Sequence, residues 1–202
     1  SMQVMAEKAY GNEENYRERF NFITGADWEV FENMSGFYGT EKTSNGMLKY
    51  NGKRILWSDI LMGFEDKFLA EHPHHEHYKK YADFMHKPHF GEEKWHSLYA
   101  FLTSIYELME IKTYIAENLY IAYKNNDVKV LRKLAEIYLP NLGKAAAKTL
   151  ADTKKLWFES RKGFGFEFYE GKYALLISRS KTAAERIEDY LSGRINKIDE
   201  LE

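Results

Sequence analysis

Three long runs of apolar residues at helical spacing dominate the last two thirds of the chain. The first extends from about Lys94 to Lys124 and the second from Asp127 to about Arg161, with Pro140 marking a kink or a break and restart. The third extends from about Lys172 to the end, close to a heptad pattern. Stripes at steps of three and four residues line one face of a helix. With short links, the sequence therefore predicts an all-α fold, an antiparallel bundle of three long helices.

The first third of the chain predicts several shorter helices. One ends at Gly25, and a second follows with Asp27 as its cap. Two more segments with helical spacing are "RILWSDILMGFEDKFL" and "YKKYADFMHK". No repeat of about 34 or 40 residues relates the helices, which disfavours a helical repeat array. We therefore expect one α-helical domain over residues 1–202.

Charge and composition exclude several classes of partner. Lysine and arginine number 29 against 31 acidic residues, so bulk attraction to phosphate backbones or anionic lipid is not expected. No apolar run approaches the roughly 20 residues that span a bilayer. The absence of cysteine excludes disulfides and thiolate catalysis and fits either redox compartment, although the cytoplasm is slightly favoured. Neither nucleic acid nor a membrane is a predicted partner.

All seven histidines lie between His72 and His96, and four of them fall in "EHPHHEH". A zincin motif fails there, because Lys79 stands where the second histidine is required. Two Glu-x-x-His pairs, as used by metal-binding helical bundles, leave a metal-binding enzyme as an alternative. Pro73 interrupts one pair, and the other lies at a predicted helix start, so we favour a turn without metal or cofactor. The four candidate ligands are Glu71, His74, Glu93 and His96.

No other catalytic motif is evident. The chain lacks nucleophile elbows and phosphate-binding loops, and its paired acids lie in charged helical surroundings, so no catalytic or substrate-binding residue is predicted. Lys112 and Arg179 fall in or near the apolar stripes. Buried cations need partners, and we expect structural ion pairs with acids such as Glu107, Glu110 or Glu167.

Several stretches together resemble one family. They are "RERFNFITGADWEVF", "SIYELMEIKTYIAENLYIAYKNND" and "LWFESRKGFGFEFYEGKYALLISRSKTAAERIEDYLSG". They resemble the C-terminal helical region of bacterial β-N-acetylhexosaminidases of glycoside hydrolase family 20. In that family the region follows a (β/α)8 barrel, which carries an Asp-Glu pair and hydrolyses terminal N-acetylhexosamine residues. This chain contains no His-x-Gly-Gly-Asp-Glu segment, so no catalytic residue is carried over.

The resemblance implies a non-catalytic accessory domain that packs against the parent's catalytic barrel and also, as an additional hypothesis, pairs two subunits. Aromatic residues make up 16% of the chain, more than a three-helix seam needs. We therefore predict an interdomain surface that includes Phe164, Phe166 and Phe168 with Trp28 or Trp57. One remaining alternative is a carbohydrate-binding module that uses exposed tryptophans, and another is a free-standing scaffold.

Overall fold

A computed structural model of the protein describes residues 13–37, 51–63 and 74–202. These residues contain no β-strand, which confirms the predicted all-α class. The α-helices in chain order are α1 Glu13–Thr24, α2 Trp28–Asn33, α3 Gly52–Trp57, α4 His75–Met85, α5 His96–Lys124, α6 Val128–Lys133, α7 Leu139–Ser160 and α8 Phe166–Leu191. None of these helices is both long enough and apolar enough to cross a bilayer.

The three predicted long runs form the bundle. Helix α7 runs antiparallel to α5. The two helices are joined where the Thr149 hydroxyl donates a hydrogen bond to the Ser104 carbonyl at 3.0 Å. Helix α8 returns along α7, and α4 also packs against α5. The three predicted runs supply most of the buried core, and Met109, Leu119, Leu134, Leu142 and Ile187 are buried members of the predicted stripes. The predicted three-helix bundle with shorter N-terminal helices is confirmed.

The second long run changes its helix geometry just before Pro140, where the sequence predicted a kink or a break and restart. Helix α6 widens into a π-type turn at Leu134–Tyr138, and α7 continues from it with Pro140 in its first turn. Proline has no N–H to donate, and the first turn of a helix is where a missing donor costs least. The helical run therefore continues through Pro140, with a wide π-type turn just before it.

The predicted limits of the third run were wrong at both ends. Helix α8 begins at Phe166, six residues early, because Gly165 adopts a left-handed conformation (φ 89°) and the buried Phe166 packs on Phe158 at 5.3 Å. It ends at Leu191, where Gly193 (φ 74°) closes the last turn. The residues after Gly193 return to the core through Ile198 and Leu201.

The short helices match the prediction at the start of the chain and depart from it later. Gly25 (φ 65°) ends α1, and the Asp27 carboxylate caps α2 by accepting from the Glu29 amide at 2.9 Å. Helix α3 was predicted to extend through the following apolar residues but stops at Trp57. The Asp59 carboxylate instead accepts hydrogen bonds from the amides of Leu61 and Met62, and this forms a turn. Residues 64–73 lie outside the described ranges.

Candidate functional site

The two Glu-x-x-His pairs considered as metal ligands lie far apart. His74 is buried at the start of α4, where its backbone N–H donates to the Glu117 carboxylate at 2.5 Å. Glu117 and His96 lie on one helix, 21 residues apart, which is about 30 Å along the axis. Glu93 and His96 are both exposed, and Glu71 lies outside the described residues. The two pairs therefore cannot bind one ion, and the described ranges contain no cluster of three His, Asp or Glu side chains suited to a metal.

The histidines instead connect helices and loops. The His75 amide donates to Glu117 at 2.7 Å, and its ring lies 3.1 Å from the Glu110 carbonyl. The His77 ring contacts the Gly36 carbonyl at 2.7 Å. Burial raises the pKa of Glu117 even though it accepts two amides at the start of α4. The carboxylate thus acts as a cap for α4, a role that only the tertiary structure reveals.

Two cations in the stripes are structural. Lys112 is 3% exposed and donates to the carbonyls of Leu56 and Ser58, both at 2.6 Å, at the end of α3. Arg179 on α8 makes a two-point ion pair with Asp59. The expected ion pair of Arg179 exists, but its acid is not one of the three that were considered. The identified partners of Lys112 are backbone carbonyls.

One end of the bundle brings together α1, α5, α7 and α8. Ser160 lies 11 residues beyond Thr149, and His96 lies 8 residues before Ser104, so the two helix ends are nearly level. Phe166, which packs on Phe158, places the start of α8 at the same end. The last turn of α1 is tied there by the Trp95 indole, which donates to the Thr24 carbonyl at 2.9 Å. The Gly25 carbonyl accepts from the Glu92 amide at 2.8 Å.

Exposed apolar side chains concentrate at this end. We call it the end face and define it by the six such residues that it carries: Phe22 and Phe164 (each 89% exposed), Phe168 (71%), Ile23 (68%), Phe90 (56%) and Phe158 (53%). Scattered apolar residues are ordinary on protein surfaces, but a concentration of large ones marks an interaction surface. The end face is therefore the strongest candidate site in the described residues.

The interdomain hypothesis named five residues, which the structure places differently. Phe164 and Phe168 lie on the end face. Phe166 is 4% exposed and packs against Trp157 at the turn between α7 and α8, so it is not part of that surface. Trp28 is half-buried against Tyr16 and Phe20, and Trp57 is half-buried against Tyr173 and Lys172.

Four residues of the end face were missed by the sequence analysis: Phe22, Ile23, Phe90 and Phe158. Phe22 and Ile23 form an adjacent apolar pair just before Gly25, which no single helix face can bury completely. That pair was an available signal. Phe90 and Phe158 carry no comparable signal, since their exposure depends on how the loops pack.

A groove of about 510 Å³ runs between α7 and α8 on the side of the bundle. Small residues such as Gly143, Ala147 and Ala184 form its floor, and Lys144, Lys181, Glu185 and Glu188 are among its lining residues. The groove is open, and its charged groups lie on the surface of the helices. It has no arrangement that marks a reaction centre.

The fold and the end face together define a helical-bundle domain with exposed apolar residues at one end. Residues 27–202 match the family described as Glycoside Hydrolase 20C C-terminal domain, and the chain belongs to this family. A search of curated proteins found no match to the chain. The resemblance drawn from the helical stretches is confirmed at the level of the family.

Proposed function

We propose that this chain is the non-catalytic accessory domain of a β-N-acetylhexosaminidase and that it packs against and stabilises the catalytic barrel. The observation that carries the proposal is the family match over residues 27–202. The accessory role agrees with the distribution of charged side chains: within the described ranges, the buried cation Lys112 caps a helix end and Asp59 pairs with Arg179. These groups are already engaged in holding the fold.

Carbohydrate binding by the tryptophans receives less support. All four tryptophans are half-buried, and two of their indoles hold loops in place. Trp95 donates to the Thr24 carbonyl and Trp157 donates to the Lys162 carbonyl, each at 2.9 Å. A stacking platform for a sugar ring needs an exposed aromatic face, whereas these rings lie against other side chains.

Activity measurements test the proposal. The 202-residue chain alone is expected to release no aryl alcohol from an aryl N-acetylglucosaminide. The full-length enzyme is expected to hydrolyse it. Deletion of residues 27–202 from that enzyme is expected to lower its melting temperature and its resistance to proteolysis. Turnover by the isolated chain would contradict the non-catalytic role, and an unchanged melting temperature after deletion would contradict the stabilising role.

A further inference from the structure

The end face is large enough to form one side of a stable protein interface. With about 200 Å² for a fully exposed large apolar side chain, its six residues expose on the order of 800 Å². This is close to the roughly 800 Å² that each partner contributes to an interface of standard size.

Charged side chains lie beside the apolar residues in at least two places. Glu92 and Lys94 form an exposed ion pair at 2.9 Å beside the start of α5. Arg161 lies over the Trp157 ring at 4.8 Å beside the end of α7. Protein interfaces typically combine an apolar centre that contains aromatic residues with a polar rim of mixed charge.

The start of the matched domain lies on the same end of the bundle. The family match begins at residue 27, and the Asp27 amide donates to the Tyr99 hydroxyl at 2.7 Å. The Asp27 carboxylate accepts from the Phe90 amide at 3.1 Å, which places it next to an end-face residue. Residues 1–26 precede the match, and helix α1 among them ends at Thr24, three residues before Asp27. The chain therefore reaches the matched residues through α1, whose last turn lies on the end face.

We propose that the end face is the docking surface for the catalytic domain of the same chain, an inference that rests on the proposed function. A connection within one chain keeps the preceding domain at high effective concentration near the surface that the connection reaches. The end face lies where this connection joins the matched residues. Helix α1, which precedes the matched residues, adds Phe22 and Ile23 to this surface.

Hydrogen exchange of the full-length enzyme and of the isolated 202-residue chain tests the proposal. Amides of residues 20–24, 89–92 and 158–168 are expected to exchange at least tenfold more slowly in the full-length enzyme. Amides of residues 124–138, at the opposite end of α5, are expected to exchange equally in both. Protection on another face with the end face unprotected would overturn the inference and leave the proposed function standing. Protection nowhere would overturn both.

Paired variants of the full-length enzyme provide the second measurement. Phe22→Ser and Phe164→Ser remove side chains of equal exposure from the two sides of the end face, and their combination is expected to abolish the protection. Val128→Ser and Ile137→Ser are matched controls, since both side chains are about half exposed near the opposite end of the bundle. The isolated chain should keep its melting temperature with every variant, which excludes unfolding as the cause. Equal effects of the two pairs would contradict the inference.

Sedimentation of the isolated chain tests the alternative that a second copy of the chain covers the end face. The chain is expected to remain monomeric at micromolar concentration, where its end face is uncovered. Two results together would overturn the inference and assign the end face to self-association. The isolated chain would form a dimer that Phe22→Ser and Phe164→Ser convert to a monomer, and the end face would be unprotected in a full-length monomer.

Discussion

Arg179 on α8 holds the Asp59 carboxylate from two directions, with Nε 2.7 Å from one oxygen and Nη2 2.9 Å from the other. This ion pair fastens the segment 51–63 to the bundle, because Asp59 also accepts the amides of Leu61 and Met62. Burial by itself raises the pKa of Asp59. The hydrogen bonds from Arg179 and from the two amides outweigh that effect and lower the pKa to about 2.

Asp59→Asn is expected to reduce the free energy of unfolding by about 1–2 kcal/mol at pH 7, after allowance for partial solvent exposure of the pair. A carboxyl whose folded pKa is lowered stabilises the protein above its unfolded pKa, and this contribution is lost as the pH falls from about 4 to about 2. The variant should therefore show a weaker loss of stability over that range. Urea unfolding at pH 7 and pH 3 provides the measurement. Glu136→Gln, which breaks the exposed pair with Arg132, is the control and should have little effect. Equal effects of the two substitutions would show that the partly buried pair of Asp59 and Arg179 stabilises the protein no more than an exposed pair does.

Lys112→Met is expected to destabilise the protein by about 2–3 kcal/mol, because the carbonyls of Leu56 and Ser58 lose a buried donor. The substitution preserves most of the side-chain volume, so the loss reports on the hydrogen bonds and not on a cavity. Chemical unfolding monitored by circular dichroism measures it. Lys148→Met breaks an exposed pair with Glu107 and should change stability by less than about 0.5 kcal/mol. A Lys112 variant as stable as the Lys148 variant would rule out the capping role.

Much of the fold was predictable, because long helices repeat their apolar period many times. The stripe of α5 contains many such steps, and its predicted limits were within two residues of the observed ones. Helix ends were less predictable, since they depend on contacts made in three dimensions. Asp59 ends the helical path after α3 through its own hydrogen bonds, and Phe166 extends α8 backward because it is buried against Phe158.

The candidate site was predicted only in part. Phe164 and Phe168 stood out as aromatic residues around a glycine turn, and the structure exposes both. Phe90 is equally apolar, but its exposure depends on a loop held by Asp27, 63 residues earlier in the chain. The separation of His74 from His96 likewise required the contact between α4 and α5. A sequence pattern identifies residue types at a spacing, while exposure and separation depend on packing.

The cap of α4 by Glu117 predicts different results for two substitutions. Glu117→Ala removes the acceptor of the His74 and His75 amides and is expected to cost about 1–2 kcal/mol. Glu117→Gln keeps an acceptor oxygen and should remain close to the parent. Burial raises the pKa of Glu117, so the contribution of this group declines as the pH rises through its unfolded pKa of 4.5 toward its higher folded value. In thermal unfolding at pH 4 and pH 7, the stability of the Gln variant relative to the parent should therefore be higher at pH 7. Equal losses of stability in the Ala and Gln variants would contradict the role of Glu117 as a cap.

The contact between α7 and α8 at Gly143 predicts a change of sign in a double-mutant cycle. A methyl group at Gly143 would lie 2.8 Å from the buried Ser180 hydroxyl, which donates to the Ile177 carbonyl. Overpacking costs about 1–3 kcal/mol and exceeds the roughly 1 kcal/mol that alanine gains over glycine in a helix, so Gly143→Ala should destabilise the protein. In a Ser180→Ala background the hydroxyl is absent, and the same substitution should stabilise by up to about 1 kcal/mol. Urea unfolding of the four proteins gives the coupling energy, and a value near zero would show that the helices do not approach closely at this point.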